Sequence, residues 1–392
     1  MTEEKKIWKE IEEGKTKFLT YDDAERIYDS SVFYNPRMVI NRDFTLLMLE
    51  TIKEIENKPL TYVDPLAATG IRSFRIINEL SPDLIKLLII SDKNPKAVEI
   101  IEKNATDLAR LNEIRIQRAD AFDLISQLMK EKIFPNVIDI DPFGSPIDFI
   151  ETSLRALRRT QGYFFATATD LQVLCGRYAD ACFRIYNAIP TRYHLCHEVA
   201  LRILLYNVLV SAGRLGLAIQ PIISINHEHF LRIKIKVLEN KEKANIQHKE
   251  QGFVHFCKKC SNYQTTKIKE ILESNICPIC QSNLEIAGPL WLGSLYDKNY
   301  ILQMLNALEN VELPTKKQIK KILDLILEEE EYPFFYFLPY LLRHIKRKGV
   351  SRDQVIEGLK ENGFKASRTI FDPEGLKTNA TFFEIVEIIK KY

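Results

Sequence analysis

Between residues 60 and 240 the chain alternates short apolar runs with longer stretches whose apolar residues recur every three to four positions. The runs predict strands: one ending in Tyr62-Val63-Asp64, one over Leu87–Ile90 closing in Ser91-Asp92, and IRIQR ending at Asp120-Ala121. Val137-Ile138-Asp139-Ile140 and Tyr163-Phe164-Phe165-Ala166 predict two more. The periodic stretches predict helices with inner faces at Ile71, Phe74 and Ile77, at Ala97, Ile101, Ala105 and Leu108, and at Phe149, Ile150, Leu154 and Leu157. Strands without a polar face belong in a covered parallel sheet, so the pattern predicts an open α/β fold. HLCHEVALRILLYNVLV then predicts an amphipathic helix with His194, His197 and Glu198 near its start, and PIISI and FLRIKIKV predict further strands closing the sheet.

Ahead of this region, residues 1–20 are charged and predict an arm or hairpin. An irregular aromatic segment from Tyr28 to Pro36 leads into a helix with Met38, Leu46, Leu47 and Leu49 inside; Phe33, Tyr34, Arg37 and Arg42 sit at the join. Asn94-Pro95 predicts a capped helix start, Ser145-Pro146 another, and Gly162 a stop. Lys241 to Glu250 reads as a polar linker. Beyond Pro314, KKQIKKILDLILEEE, YLLRHIKRK and SRDQVIEGLKENG predict three helices, the last capped by Ser351 and stopped by Gly363. The extended FKASRTIF after them predicts a winged-helix-like unit with a basic cluster at Arg343, His344, Lys346, Arg347 and Lys348.

At 392 residues the chain is long enough for two or three domains. Its net charge of +2 hides a mild asymmetry, with 29 Lys+Arg against 31 Asp+Glu in residues 1–225 and 26 against 22 in residues 226–392, which permits a nucleic-acid partner. Neither a signal peptide nor an apolar run able to span a bilayer is present, so the expected location is the cytoplasm, without membrane contact.

The candidate chemistry lies at the predicted strand ends. The small residues Ala67, Ala68, Thr69 and Gly70 form a strand-to-helix loop that lets backbone amides approach a ligand, without the glycines of a dinucleotide fingerprint. Asp92, closing the second strand, stands where such folds hold ribose hydroxyls, and Asp120-Ala121 where adenine edges are read; alone, each aspartate also reads as a loop cap. Asp141-Pro142-Phe143-Gly144 leaves its strand with a carboxylate and a carbonyl projecting together, two acceptors suited to a substrate NH2. That turn resembles the Asp/Asn-Pro-Pro-aromatic turn of enzymes that methylate exocyclic amines of bases, in which an aromatic ring such as Phe143 stacks on the base. Cys257-x2-Cys260 and Cys277-x2-Cys280, sixteen residues apart, have four-thiolate zinc-ribbon spacing; with no open position, the metal there is structural. Cys175, Cys182 and Cys196 read as buried thiols, and His194 and His197 as structural hydrogen-bonding residues.

The ordered set FYNPRMVINRD, DPLAATGIRSFR, SDKNP, DAFD, DIDPFGSP, TATDLQVLCG, CHEVALRILL, GPLWLG and TIFDPEGLKTNA resembles the tRNA guanine-26 N2-dimethyltransferase family nearly end to end. The resemblance implies an α/β chain with a Rossmann-like class I methyltransferase sheet in residues 1–238, N-terminal arm included. A C-terminal α+β tRNA-binding domain in residues 239–392 would carry the zinc ribbon-like cluster (252–285) and the winged-helix-like unit. It implies S-adenosylmethionine as methyl donor, structural Zn2+, tRNA rather than DNA as partner, and a monomer. By resemblance, Arg42 and Arg72 would contact the methionine carboxylate end, Gly70 would belong to the cofactor loop, Asp92 would hold the ribose, and Asp120 with Ala121 the adenine. Asp141 would accept from the guanine amine, with Phe33 and Phe143 sandwiching the base. Two other readings fit parts of the chain: an amino-methyltransferase acting on another RNA or DNA base, and a non-catalytic zinc-ribbon nucleic-acid-binding protein.

Overall fold

The computed structural model describes residues 8–24, 29–106, 114–270, 272 and 274–392; Tyr28 and Leu108, named above, lie outside them. Strands β1 (Trp8–Glu13) and β2 (Thr16–Tyr21) form an antiparallel hairpin, and α1 (Val39–Glu56) follows. Then come β3 (Leu60–Asp64), α2 (Ile71–Glu79), β4 (Ile85–Asp92), α3 (Pro95–Ala105), β5 (Ile114–Arg118) and α4 (Ala121–Lys130). The series continues with β6 (Val137–Ile140), α5 (Ile147–Leu157), β7 (Tyr163–Ala168), the short α6 (Leu171–Leu174) and α7 (Ala179–Tyr186), and the long α8 (Cys196–Arg214). Strands β8 (Ala218–His227) and β9 (Phe230–Leu238) complete a seven-stranded sheet of order β5-β4-β3-β6-β7-β9-β8. The first five of these strands are parallel, and β9 pairs antiparallel with both β7 and β8. Strand order reverses between β3 and β6, so the crevice at their carboxyl ends is the switch point where open α/β sheets take ligands.

Every residue of β3, β6 and β7 is buried, as unbroken apolar runs require. Asp139, Arg232 and Lys234 are the charged exceptions in this sheet that are 0–1% exposed, and all three lie beneath the switch point.

Several local predictions are displaced. Helix α5 begins at Ile147, one residue late, because Pro146 takes the capping position and the Ser145 hydroxyl accepts from the Ile147 amide. It ends at Leu157, and the left-handed residue after it is Gln161 (φ 48°); a Cβ at Gly162 would come within 2.4 Å of the Asn136 carbonyl, so that glycine serves close approach. Strand β5 stops at Arg118, which makes Asp120 the N-cap of α4 instead of a strand end. Helix α8 is buried nearly all round, from Glu198 to Tyr206, where an amphipathic helix was expected. The polar linker is in fact α9 (Lys241–Gln247) with a 3-10 turn, nucleated by the Asn240 side chain accepting from the Lys243 amide.

The C-terminal part contains a three-stranded sheet of order β11-β10-β12, from β10 (Gln251–Phe256), β11 (Tyr263–Lys267) and β12 (Glu285–Trp291). Helices α10 (Lys298–Asn310) and α11 (Lys316–Glu328) precede β13 (Tyr336–Phe337), α12 (Leu338–His344), α13 (Arg352–Glu361), β14 (Ala366–Arg368), β15 (Gly375–Thr378) and α14 (Phe382–Lys390). The Ser351 capping box and Gly363 (φ 83°) bracket α13 as predicted, while α14 adds a helix whose Ile385 and Ile389 share a core with Val355 and Leu359. One apolar core runs from Met38 through Val254, Ala287 and Ile301 to Phe371, so it crosses position 238/239 without interruption. No helix among the described residues is long and apolar enough to cross a membrane.

Candidate active site

Each wall of the switch-point crevice is set by a short local motif. In the loop after β3, Gly70 has φ 77°, and a Cβ there would lie 2.6 Å from the Phe74 ring, so glycine is required. Ala68 is also left-handed (φ 50°), a conformation that costs a non-glycine residue roughly 1–3 kcal/mol. Its amide donates to Asp92 Oδ2 (2.9 Å), while Asp92 Oδ1 accepts from the Asn94 amide (2.9 Å). Each carboxylate oxygen thus keeps an acceptor site for a hydroxyl. Asp120 accepts from the Phe122 amide (2.9 Å) with one oxygen, and Ala121 is buried at the start of α4.

Asp141 leaves β6 with its Oδ2 bound by Arg72 Nη2, and among the described residues its Oδ1 has no hydrogen-bond partner. Arg72 is itself fixed by Asn41 Oδ1 (3.0 Å) and Thr45 Oγ1 (2.8 Å) of α1. Gly144 (φ 83°) closes the turn: its amide donates to Thr169 Oγ1 (2.7 Å), and its carbonyl accepts from the Thr169 amide (3.0 Å). Phe143 is 65% exposed and meets Phe33 edge-on, with ring centroids 4.2 Å apart. A base stacked between two rings needs them roughly 7 Å apart, twice a contact distance of about 3.5 Å, so the rings must part to admit one.

The floor beneath Asp141 is a buried charge cluster that sequence reasoning missed. Asp139 accepts from both Arg232 Nη atoms (2.7 and 2.6 Å) and from the Tyr62 hydroxyl (2.9 Å). Burial alone would push its carboxyl up, but the Arg232 and Arg72 guanidiniums hold it well below the usual carboxylate range. Asp64, at the end of β3, goes the other way: burial, against the pull of Arg72, pushes its carboxyl up to about 7. The signal for this cluster was present, since an aspartate inside VIDI and the cations inside FLRIKIKV demand partners once buried. A second network pins the Phe33 wall. Arg42 donates to Glu13 (2.7 and 2.6 Å) and to the Asn35 carbonyl (3.1 Å), and fully buried Arg75 joins Glu13, Asp43 and Glu79 at 2.7–2.9 Å. Both predicted arginines have protein partners: Arg72 meets Asp141 at the crevice, and Arg42 meets Glu13 of the hairpin, with its Nη1 left over among the described residues.

A family model described as N2,N2-dimethylguanosine tRNA methyltransferase matches residues 14–390. The chain belongs to this family. A Pyrococcus horikoshii relative named tRNA (guanine(26)-N(2))-dimethyltransferase is 34% identical over 394 residues, covering 97% of this chain and 98% of the relative. A Methanobrevibacter smithii protein of the same name is 35% identical over 384 residues, covering 97% of each. The solved complex of Trm1 from Pyrococcus horikoshii with S-adenosyl-L-methionine superimposes with a TM-score of 0.84 at 32% identity, covering 97% of this chain and 99% of that one.

Outside the crevice, this family member brings its four ribbon cysteines together, with all four sulfurs within 4.8 Å of one another. The Sγ pairs Cys257–Cys280 and Cys260–Cys277 are 3.3 and 3.6 Å apart. A zinc tetrahedron with bonds of about 2.3 Å has edges of about 3.8 Å, so the donor set fits Zn2+. The two knuckles are built alike: Cys257 and Cys277 donate their amides to the Asn262 and Ser282 carbonyls, and Ser261 and Gln281 are left-handed. The other cysteines are only partly as expected, with Cys182 buried but Cys175 and Cys196 half-buried and, with His197, forming a second close group. A hydrogen bond to Cys196 and burial push the Cys175 thiol well up, which disfavours its thiolate. His194 does not hydrogen-bond: neither ring nitrogen has a partner among the described residues, and the ring stacks on Phe337 (4.9 Å), with burial lowering it to about 3.

Proposed function

We propose that this protein transfers methyl groups to the exocyclic N2 of guanine 26 in tRNA, giving N2-methyl- and then N2,N2-dimethylguanosine. The observation that carries the proposal is Asp141 at the switch point, with Oδ2 held by Arg72 and Oδ1 open beside Phe33 and Phe143. The names of its relatives agree with it. S-adenosylmethionine supplies an electrophilic methyl group, and the crevice suits it: Asp92 offers lone pairs to the ribose, and Gly70 leaves a side-chain-free wall. Asp120 and Ala121 border the adenine, while Arg42 and Arg72 bring positive charge to the methionine carboxylate. Direct contact needs Arg42 Nη1 or an exchange of Arg72's partners.

The chain's own groups do the rest. Phe33 and Phe143 part and stack on the flipped guanine. Asp141 Oδ1 accepts one N2–H bond, which localises the nitrogen lone pair and aims it for in-line displacement. As N2 gains the methyl it loses a proton, which Asp141 is placed to receive. No covalent adduct is needed, in keeping with a Cys175 thiol held in its neutral form by its hydrogen bond to Cys196 and by burial. Residues 1–238 act as the catalytic unit and residues 239–392 as a tRNA-binding unit, with zinc fixing the ribbon at 252–285 and the winged-helix-like part beyond it. The working form is a cytoplasmic monomer acting on tRNA and not on DNA. The test is methylation of an unmodified tRNA transcript with labelled S-adenosylmethionine: N2-methylated guanosines should appear, and should vanish when guanine 26 is replaced by adenine. Label that persists after the replacement contradicts the assigned position.

A further inference from the structure

The segment that follows β7 is mounted directly on the catalytic turn. Thr169 clasps Gly144, and the Asp170 carboxylate accepts from the Tyr186 hydroxyl (2.9 and 3.0 Å), which anchors the end of α7 behind the turn. Helix α7 is amphipathic in an unusual sense. Cys182 and Tyr186, one turn apart, form the buried stripe, whereas Phe183 faces outward and is 60% exposed, as is Tyr178 just before the helix at 51%. Large aromatic side chains left in water beside a reaction centre mark a binding surface.

The charges around them agree. Residues 171–192 contain Arg177, Arg184 and Arg192 against the single acid Asp180. All three guanidiniums are exposed, and among the described residues none forms an ion pair or hydrogen bond; Arg177 only lies over the Tyr178 ring at 5.7 Å. Gly176 (φ 81°) packs against Thr191 and the Arg192 stem, which brings the two ends of the segment, and two like charges, together. Ile189 then pairs through its backbone with Gly288 of β12 (2.7 and 2.9 Å), so the surface runs from the catalytic turn to the cysteine ribbon. Uncompensated arginines interleaved with exposed rings suit a chain of phosphates with unstacked bases and not an acidic or apolar protein surface.

We propose that residues 177–192 form an RNA platform within the catalytic half, on which Tyr178 and Phe183 stack unpaired nucleotides flanking the target guanine while Arg177, Arg184 and Arg192 bind their phosphates. It rests on the reading of tRNA as substrate, and it places part of tRNA recognition outside the C-terminal region.

The test measures affinity of the full-length protein for a tRNA transcript against salt concentration, together with S-adenosylmethionine affinity and sedimentation. Arg177→Ala/Arg184→Ala/Arg192→Ala should flatten the log–log salt slope by about two to three units, because each lost phosphate contact removes about 0.7–0.9. Phe183→Ala should weaken tRNA binding by about 5- to 150-fold, the factor one lost base stack carries, with little change in slope. Arg→Lys at the three positions should restore the slope, and S-adenosylmethionine affinity should hold in every variant, which shows that the fold is kept. Unchanged affinity and slope in both variants, while the wild type binds and methylates tRNA, would overturn the platform alone. A wild type that does not bind tRNA would overturn the platform and the functional reading together. A Phe183→Ala variant that turns a dimer into a monomer with unchanged RNA affinity would assign the patch to a second copy of the chain.

Discussion

Substituting Asp139 by Asn keeps the shape of the buried floor and removes its charge. Asp139 is 0% and Arg232 1% exposed, and the two are joined by paired bonds of 2.7 and 2.6 Å. Among the described residues, Arg232's other acceptors are the Thr45 and Thr167 hydroxyls, at 2.9 and 2.7 Å. Losing the carboxylate strands a buried guanidinium, which costs about 3–5 kcal/mol. That is a large share of a typical stability of about 5–15 kcal/mol. The sign with pH follows from the depressed Asp139 carboxyl: its contribution is fully present above the unfolded value of about 3.9 and is lost as pH falls through the lower folded value. Urea unfolding of wild type, Asp139→Asn, Asp139→Leu, Arg232→Met and the Asp139→Leu/Arg232→Met double variant measures the effect. The double variant should be more stable than either single one, because an apolar pair leaves no stranded charge. A loss below about 1 kcal/mol in Asp139→Asn, or strictly additive losses, would refute the reasoning.

Three further outcomes follow from the site. Asp64, raised to about 7, stabilises the free protein fully below the unfolded value of about 3.9 and loses that contribution as pH rises through 7; a bound cationic cofactor favours its ionised form. Affinity for S-adenosylmethionine should therefore rise toward pH 7 and level off above, by at most about tenfold per unit. Calorimetry in buffers of different ionisation enthalpy should show proton release, and a slope that survives Asp64→Asn would contradict this. Metal analysis should find one zinc per chain, lost in Cys260→Ser, with faster hydrogen exchange in residues 251–291; full zinc in that variant would dismiss the site. Phe143→Ala and Phe33→Ala should each lower kcat/KM for tRNA by about 5- to 150-fold, whereas effects within twofold would remove the rings from base binding.

The parallel strands were legible because burial on both faces leaves a largely apolar signature, and the residues at their ends because turn-forming residues follow where such strands stop. Asp92, Asp141 and Gly70 could be placed at or next to strand ends this way without a structure, whereas Asp120 caps α4 two residues beyond β5. What stayed hidden depends on contacts distant in sequence. The pairing of Asp139 with Arg232 spans 93 residues, and the Arg42–Glu13 pair joins α1 to the N-terminal hairpin. The local misplacements share one cause: Ser145, Gly162 and Asn240 carry ambiguous signals whose outcome was decided by neighbouring backbone, as the Asn136 carbonyl over Gly162 shows.

The central claim is that the Asp141 carboxylate aims the guanine amine, and single-turnover methyl transfer to guanine 26 at saturating cofactor tests it most directly. Asp141→Asn should slow the step by about 10²- to 10⁴-fold while cofactor affinity changes by less than about tenfold. A rate within threefold of wild type, with N2-methylguanosine still formed, would contradict the claim and leave Asp141 only as Arg72's partner.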